Sequence, residues 1–137
     1  MITVVDDYTP CLELRRAVFI AEQGISEAEE YDDLDAGAVH LLATVDTRPV
    51  GTARLLIKGD TGKIGRLCVL ADQRGTGLGA RLVAAAIAHF RTLPGLTRAQ
   101  LSAQDHAIGF YERLGFVAEG PFYDDAGIPH RDMARVL

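Results

Sequence analysis

This 137-residue sequence contains little cysteine: Cys11 and Cys68 are its two thiols. Their spacing fits neither a Cys-x-x-Cys pair nor a metal-binding pattern, so we expect no disulfide framework, no metal site and, by default, a reducing cytoplasm. No apolar run approaches the roughly 18 residues of a membrane-spanning helix. The N-terminus, MITVVDDYTP, also lacks the basic flank and apolar stretch of a signal peptide. These shortages argue against a secreted disulfide-rich protein and predict no association with a membrane.

Basic residues are also in deficit. Lysine and arginine total 14 against 19 aspartates and glutamates, which gives a formal net charge of −5. A nucleic-acid surface needs a basic patch, so we expect no nucleic-acid partner, whereas an acidic protein is compatible with a cationic acceptor such as an amine. The hydrophobic fraction of 48% and the charged fraction of 24% are those of an ordinary globular protein. Because no repeat, low-complexity tract or linker interrupts the chain, its length predicts a single domain, 1–137.

The most informative stretch is KIGRLCVLADQRGTGLGARLVAAA, residues 63–86. A short apolar run rich in strand formers comes first, a glycine-rich turn follows, and apolar residues then recur at helical spacing from Leu78 to Phe90. Glycines at such a junction allow positive φ angles and close approach of a ligand to the backbone. The free N–H groups and the dipole of a helix N-terminus attract an anion, and Arg74 adds a positive charge. This pattern indicates a phosphate-binding loop.

Three kinds of phosphate-binding loop can be compared with these glycines. A P-loop requires Gly-Lys-Ser/Thr, which is absent. A dinucleotide fingerprint is formally matched by Gly75, Gly77 and Ala80, but it expects an acidic residue about 20 positions on, and the stretch that would carry it has none. The third pattern, [QR]-x-x-G-x-[GA], fits Arg74, Gly77 and Gly79. Here the chain resembles the GCN5-related N-acetyltransferase (GNAT) family; a purely structural strand–turn–helix corner is the alternative.

Two further segments carry the same resemblance. GFYERLGF, residues 109–116, resembles the family's second signature, x-F-Y-x-x-x-G-F. LRRAVFIAEQGISEAEEYDDLDAGAVHLLA, residues 14–43, resembles the ElaA-like branch, in which R-x-x-V-F-x-x-E-Q is followed by E-x-D-x-x-D and a histidine. The matching positions are Arg15 or Arg16, Val18, Phe19, Glu22, Gln23, Glu30, Asp32, Asp35 and His40. The resemblance therefore covers nearly the whole chain.

The predicted order of elements, β-α-(α)-β-β-β-α-β-α-β-β, is that of the GNAT fold. We expect an α/β (α+β) protein with a mixed, mostly antiparallel central sheet of six to seven strands, flanked by about four helices. Besides the strand before the glycine turn, strands are predicted at Ile2–Val5, Val39–Val45, Val50–Ile57, Arg98–Ala103, Phe116–Ala118 and Asp132–Val136.

Helix boundaries follow from capping residues. Thr9 as N-cap before Pro10 starts a helix that runs to about Glu22. The helix after the glycine turn ends near Arg91, and Asp105 is expected to cap the next one. The predicted strands Val39–Val45 and Val50–Ile57 are joined by a predicted turn over residues 46–49.

A strongly acidic stretch spans residues 26–35. One interpretation is a solvated helix-and-loop surface, and the other is a rim that attracts a positively charged acceptor. Ser26 followed by Glu29 also forms a capping-box pattern, which explains one of the acids without any substrate.

The resemblance implies a set of residues that bind coenzyme A. The backbone of Leu67, Cys68 and Val69 would hold the pantetheine arm as an added strand. The strand ending at Ala103 would diverge from the central strand and admit the thioester. Residues of the pyrophosphate loop are Arg74, Gly75, Thr76, Gly77, Leu78, Gly79 and Ala80, and Gln104 and Tyr111 complete the expected cofactor-binding set.

Acetyl transfer to an amine needs a neutral amine, a polarised carbonyl and protonation of the departing thiolate. Tyr111 is the expected general acid, because a phenol with a pKa near 10 is protonated at pH 7; a core tyrosine is the alternative. Cys68 is expected to be a buried apolar residue rather than a nucleophile.

The general base is left open by the sequence. Glu22 and His40 are candidates for the base or for residues that position the acceptor. Asp35, His106 and His130 are further candidates by residue type, and deprotonation through water is equally compatible with the sequence.

The leading hypothesis is an N-acetyltransferase that moves an acetyl group from acetyl-CoA to a primary amine of a small molecule or peptide, by direct attack in a ternary complex. The alternatives are a non-catalytic acyl-CoA-binding regulatory module on the same fold and a small nucleotide-binding protein. Loops around residues 22–40 and 122–130 are expected to select the acceptor. The protein is expected to be a monomer or a homodimer.

Overall fold

The computed structural model describes residues 1–137 and is built on one seven-stranded sheet, ordered β1-β2-β3-β4-β5-β7-β6. The strands are β1 Ile2–Val5, β2 Val39–Val45, β3 Arg48–Lys58, β4 Thr61–Val69, β5 Arg98–Gln104, β6 Val117–Asp125 and β7 Ile128–Val136. The helices are α1 Thr9–Arg15, α2 Glu27–Glu30, α3 Leu78–Arg91 and α4 Ile108–Glu112. Every strand pair is antiparallel except β4–β5. The predicted fold class is confirmed.

Helix α3 covers one face of the sheet. Its apolar residues at helical spacing, which include Leu82, Ala86 and Phe90, are all buried in the main core with residues of β2, β3, β4, β5 and β7. The ring of Phe90 lies directly on Gly62 of β4, where an added Cβ would stand 2.6 Å from the ring carbons. Any larger residue at this position would therefore push α3 away from the sheet.

Helix α1 and the segment that continues it to Glu22 cover part of the opposite face, where Cys11, Leu14 and Val18 pack against β2 and β4 in a second, smaller cluster. Contrary to the expected cap, Tyr8 rather than Thr9 occupies the N-cap position. Asp7 accepts hydrogen bonds from the Thr9 backbone N–H (3.0 Å) and hydroxyl (2.7 Å), so the threonine hydroxyl is already engaged. The helix continues to Glu22 as expected, but residues Arg16–Glu22 form a π-helix. Such segments are frequent at functional sites.

The strands β4 and β5 pair over half of their length and then separate. Parallel pairing runs from Thr61–Arg98 to Ile64–Leu101, whereas β4 continues to Val69 and β5 to Gln104. A bulge in β4 accompanies the separation, with Arg66 at a φ of 50°. The fork between these two strands, at residues 64–69 and 101–104, confirms the expected divergence.

The turn between β2 and β3 is shorter than predicted. Asp46 and Thr47 form it alone, with φ angles of 49° and 67°, and Arg48 and Pro49 already pair with β2. Two successive left-handed residues match the twist of the flanking strands. The predicted turn over residues 46–49 is too long, because Arg48 and Pro49 belong to β3.

The C-terminal strands are longer than predicted. Predicted strands at Phe116–Ala118 and Asp132–Val136 extend to nine residues each, and they meet at a two-residue turn of Ala126 and Gly127. Residues 122–130 are therefore a β-hairpin rather than a loop. The β6 strand carries an irregularity between Glu119 and Tyr123, where Gly120 has a φ of 76° and Pro121 follows it. These turn-forming residues interrupt the strand pattern.

Asp105 does not cap an α-helix as predicted. It opens a single 3-10 turn, Asp105–Ala107, and its carboxylate accepts a hydrogen bond from the His106 N–H at 2.9 Å. Helix α4 begins only at Ile108 and is five residues long.

The solvated-surface interpretation of the acidic stretch does not hold for Glu30 and Asp35, which are buried. Both carboxylates bind Arg15 of α1, through Nε to Glu30 (2.6 Å) and through Nη1 to Asp35 (2.7 Å). Arg15 is 1% exposed. Its hydrogen bonds keep the pKa of Asp35 below its ordinary value, although burial alone would raise it. Glu30 and Asp35 thus belong to a structural ion-pair network rather than to a solvated surface.

Two arginines of the sheet complete this network. Arg54 of β3 contacts Asp32 (2.8 Å) and Asp35 (3.2 Å). Arg66, the residue at the β4 bulge, contacts Glu30 (2.8 Å) and donates to the Glu30 carbonyl (3.0 Å). The acidic stretch therefore ties α1, β3 and the bulge beside the fork. The Ser26–Glu29 cap forms in part, because the Ser26 hydroxyl accepts from the Glu29 N–H at 3.2 Å.

Candidate active site

The fork between β4 and β5 opens into a cleft of about 630 Å³. Its walls come from β4, β5, the π-helix, the 3-10 turn before α4, α4 itself and the β6–β7 turn. Among the expected cofactor-binding residues, those that line it are Leu67, Cys68, Val69, Arg74, Gly79, Gln104 and Tyr111. The structure thus brings residues from four separate parts of the sequence around one cavity.

The glycine loop lies between β4 and α3. Gly75 and Gly77 have φ angles of 78° and 83°, which explains the choice of glycine there. Gly77 is the N-cap of α3, and no side chain caps the helix. Leu78 is buried and anchors the first turn, whereas Gly75, Thr76 and Gly77 are exposed. The free N–H groups of a fourteen-residue helix therefore lie at the end of the cleft, as a phosphate-binding loop requires.

Arg74 makes two contacts at this loop. Its guanidinium binds Glu22 at the end of the π-helix in a bidentate ion pair, with N–O distances of 2.6 and 2.9 Å, and Nε donates to the Val69 carbonyl at 3.2 Å. The hydrogen bond from Arg74 holds the pKa of Glu22 below its ordinary value. Glu22 is consequently a weak base, and its carboxylate orients the arginine.

Gln104 bridges the fork to the π-helix. Gln23 and Gln104 exchange reciprocal amide hydrogen bonds of 3.0 and 3.3 Å, and both residues line the cleft. The pair connects the end of β5 to the helix that follows the first strand.

Tyr111 lies on α4 with its ring edge-on to Phe110 and Phe116 at centroid distances of 5.0 and 6.0 Å. No protein group hydrogen-bonds its hydroxyl. Burial raises the pKa of Tyr111 to about 12, so the phenol is fully protonated at neutral pH. A neutral hydroxyl that faces a cleft is suited to donate to an atom that becomes negative.

Cys68 lies on the cleft wall but is 5% exposed. Burial raises the pKa of its thiol to about 12. Since the thiolate is the nucleophilic form, Cys68 is inert at neutral pH.

The structure separates the candidate bases. His40 is buried beneath α1, where its ring stacks on Tyr8 and Nε2 lies 2.8 Å from the Asp35 carbonyl. Neither His40 nor Asp35 lines the cleft. His106 and His130 do line it, and Nδ1 of His130 lies 2.7 Å from the Ile128 carbonyl. The structure thus does not bring His40 to the site, whereas Glu22 lies in it as the partner of Arg74.

Ser102 lines the cleft and was not predicted. The alternation of β5, in which buried Ala99, Leu101 and Ala103 alternate with polar residues, could have indicated Ser102. Gln23 and Ala126 also line the cleft, and both lie in the stretches 22–40 and 122–130 that were expected to select the acceptor.

None of the helices is both long enough and apolar enough to cross a membrane. No group of three or more histidine, cysteine, aspartate or glutamate residues is arranged to hold a metal ion.

Comparisons with known proteins agree with this geometry. Residues 6–137 match the family described as acetyltransferase (GNAT) domain. The uncharacterized protein YyaT of Bacillus subtilis is 38% identical over 139 residues, which cover 99% of this chain and 93% of the relative.

Solved structures show the same likeness. An acyl-CoA N-acyltransferase from Pseudomonas aeruginosa is 32% identical, with a TM-score of 0.87 and 98% of each chain covered. ElaA of Escherichia coli is 28% identical, with a TM-score of 0.84 over 98% of this chain and 99% of its own. An aminoglycoside 6'-N-acetyltransferase complexed with coenzyme A is 18% identical; its TM-score of 0.73, over 99% and 96%, shows the shared fold alone.

Proposed function

Since this chain belongs to the GNAT family of acetyltransferases, we propose that it transfers an acetyl group from acetyl-CoA to a primary amine of a small molecule or peptide. The amine attacks the thioester directly in a ternary complex. The observation that carries this proposal is the fork between β4 and β5, which opens on the cleft between the uncapped N-terminus of α3 and the partly buried Tyr111.

The cofactor is held mainly by backbone groups. The N–H groups of the loop from Arg74 to Ala80 bind the pyrophosphate, and the dipole of α3 supports the negative charge. The part of β4 beyond the last pair with β5, Leu67–Val69, offers its free edge to the pantetheine arm. The likeness in fold to a protein complexed with coenzyme A supports this placement.

The chemical step places the acyl carbon at the fork. The nitrogen lone pair attacks the carbonyl carbon, the C–S bond breaks, and the hydroxyl of Tyr111 donates its proton to the thiolate. Because burial raises its pKa to about 12, Tyr111 carries this proton at neutral pH. Its proton is then replaced from solvent.

The protein works in the cytoplasm as a monomer or homodimer in this proposal. Buried, unpaired thiols at Cys11 and Cys68 favour a reducing compartment.

The test is a screen of primary amines with acetyl-CoA, read as release of free thiol. We expect amine-dependent thiol release, and thermal stabilisation by CoA of about 2.7 kcal/mol at 100 times its dissociation constant. NAD and ATP should stabilise the protein far less. Stabilisation by acetyl-CoA without thiol release for any amine would favour the non-catalytic acyl-CoA-binding module, and stabilisation by NAD alone would contradict the cofactor assignment.

A further inference from the structure

A chain of three hydrogen-bonded side chains crosses β5, β6 and β7 beside the fork. The hydroxyl of Tyr123 lies in hydrogen-bond contact with Ser102 Oγ and donates to Asp132 Oδ1 at 2.6 Å. Ser102 and Asp132 are directly paired across β5 and β7. The fold, rather than any local sequence motif, brings these residues together.

The donor and the acceptor of each hydrogen bond between these three side chains follow from their chemistry. An ionised carboxylate can only accept hydrogen bonds, so the Tyr123 hydroxyl donates its one hydrogen to Asp132. Ser102 must then donate its own hydrogen to the Tyr123 oxygen. The remaining lone pairs of Ser102 Oγ are left to accept a hydrogen bond from a ligand in the cleft.

Ser102 stands where such a ligand would react. It is the residue that follows Leu101, the last residue of β5 paired with β4. It lines the main cleft and also a smaller cleft of about 250 Å³, which contains Tyr123 and Asp132. The two clefts share Ile64, Gly65 and Leu101 as well. The chain therefore leads from the fork to a second opening on the sheet face.

We infer that Ser102, Tyr123 and Asp132 form the proton relay that deprotonates the acceptor amine. Ser102 is the catalytic residue that contacts the amine, and Tyr123 and Asp132 act through it as positioning residues. This inference rests on the proposed acetyl transfer and supplies the base that neither Glu22 nor His40 provides.

The protons balance along this path. The bound ammonium donates an N–H hydrogen bond to Ser102 Oγ, and the ammonium proton is transferred to this oxygen. At the same time the Ser102 hydroxyl proton moves to the Tyr123 oxygen, and the Tyr123 hydroxyl proton moves to the Asp132 carboxylate. Asp132 releases it to solvent through the smaller cleft. After the neutral amine has formed the C–N bond, the nitrogen is acidic enough to lose its second proton to water in the cleft. Tyr111 gives one proton to the thiolate and regains one from solvent, so one proton is released for each acetyl group transferred.

The groups around Asp132 leave its carboxylate free to act as the last proton acceptor of the relay. Glu119, paired with Asp132 across β6 and β7, is neutralised by Arg98 at 2.8 Å and also accepts from Gln100. Asp132, in contrast, has no ion-pair partner and accepts only from Tyr123.

Other charged groups lie around the relay. Lys63 of β4 lines the smaller cleft without an ion pair, Asp125 lies on the same strand as Tyr123, and His130 of β7 stacks on its ring at 6.1 Å. Burial and the bond to Asp132 raise the pKa of Tyr123, which keeps the phenol protonated and the chain intact at neutral pH.

The test compares two amines of nearly the same size, ethylamine and 2,2,2-trifluoroethylamine, which is already neutral at pH 7. We expect Ser102→Ala and Asp132→Asn to lower kcat/KM for ethylamine by about 10²-fold at pH 7, the usual scale of acid–base catalysis. The loss should shrink as the pH rises toward the pKa of ethylamine. With trifluoroethylamine the same variants should lose only a few-fold.

Glu119→Gln is the matched control, because it removes a neighbouring carboxylate on the same face without touching the relay. It should stay within a few-fold of wild type with both amines. Equal losses for both amines at every pH, or no loss in Asp132→Asn, would overturn the relay while leaving acetyl transfer intact. If the wild type binds acetyl-CoA and acetylates no amine, the proposed function and the relay fail together.

Discussion

The two halves of the sheet are built differently. Strands β1–β4 lie between α1 on one face and α3 on the other, and the buried charges between them are paired. Strands β5–β7 bury only one face in the main core, through residues such as Leu101 and Met133. Their other side leaves Val117, Tyr123 and Val136 exposed.

Because of this difference, charged residues in the first half of the sheet stabilise the fold, whereas Asp132 in the second half is available for the proposed reaction. Carboxylates in the first half, such as Glu30 and Asp35, are buried and bound by guanidinium groups, so they stabilise the fold. In the second half, Asp132 accepts a hydrogen bond from a phenol and faces an open cleft. Substitutions in the two halves should therefore change different measurements.

The largest expected effect is on stability. Replacing Arg15 by Met leaves Glu30 and Asp35 buried without their shared partner, and breaking a buried ion pair typically costs about 3–5 kcal/mol. We expect the lower end, ~3 kcal/mol, because Arg54 and Arg66 still contact these carboxylates. Urea unfolding measures the loss.

The control is the adjacent residue. Arg16→Met breaks an ion pair with Glu27 in which both side chains are more than half exposed, and it should leave the unfolding midpoint unchanged. If the two variants unfold at the same urea concentration, the buried network does not hold this half of the protein together.

The second expected effect is a loss of catalytic turnover with no loss of folding stability. Tyr111→Phe removes one hydroxyl and leaves the edge-on packing against Phe110 and Phe116. We expect turnover to fall by roughly 10²-fold, or about 2.7 kcal/mol of barrier, with CoA affinity nearly unchanged. Tyr8→Phe, on the opposite side of the sheet, should retain activity. Full activity in a stable Tyr111→Phe protein would remove Tyr111 as the acid.

The smallest of the three expected effects is on the KM for acetyl-CoA. It concerns the glycine loop, which follows β4 at the border between the two halves of the sheet. Gly77→Val should raise the KM for acetyl-CoA by about tenfold, because a branched side chain blocks the phosphate from the backbone. Gly59→Val introduces a similar strain, at a φ of 62°, in the β3–β4 turn. Gly59→Val should leave the KM unchanged; if the two variants behave alike, the strain rather than the phosphate contact accounts for the effect.

Elements that depend on local pattern could be predicted from the sequence. The burial of Leu82, Ala86 and Phe90 follows from their helical spacing, and the end of α3 near Arg91 follows from the proline and glycine beyond it. The boundaries of β1 and β2 agree with the prediction. Turn-forming residues follow each of these strands, and the acidic stretch of residues 26–35 precedes β2.

Features that depend on distant contacts could not be predicted in this way. The partners of Glu30 lie 15 and 36 residues away in the chain, so its acidic neighbours suggested a surface instead of a buried network. In the same way, Gly120 and Pro121 suggested the end of a strand, although pairing with β7 carries β6 past them. The relay of Ser102, Tyr123 and Asp132 joins three strands and has no signature in any one of them.

The irregularity in β6 also bears on how the molecules behave toward each other in concentrated solution. β6 is one of the two edge strands of the sheet, and a regular edge presents a row of unpaired amide and carbonyl groups to which another chain can add. Pro121 has no N–H to offer, and the bend at Gly120 interrupts the row. The edge nearest the proposed chemistry is thereby a poor template for fibrils, although its neighbours Phe122 and Val117 are exposed and apolar.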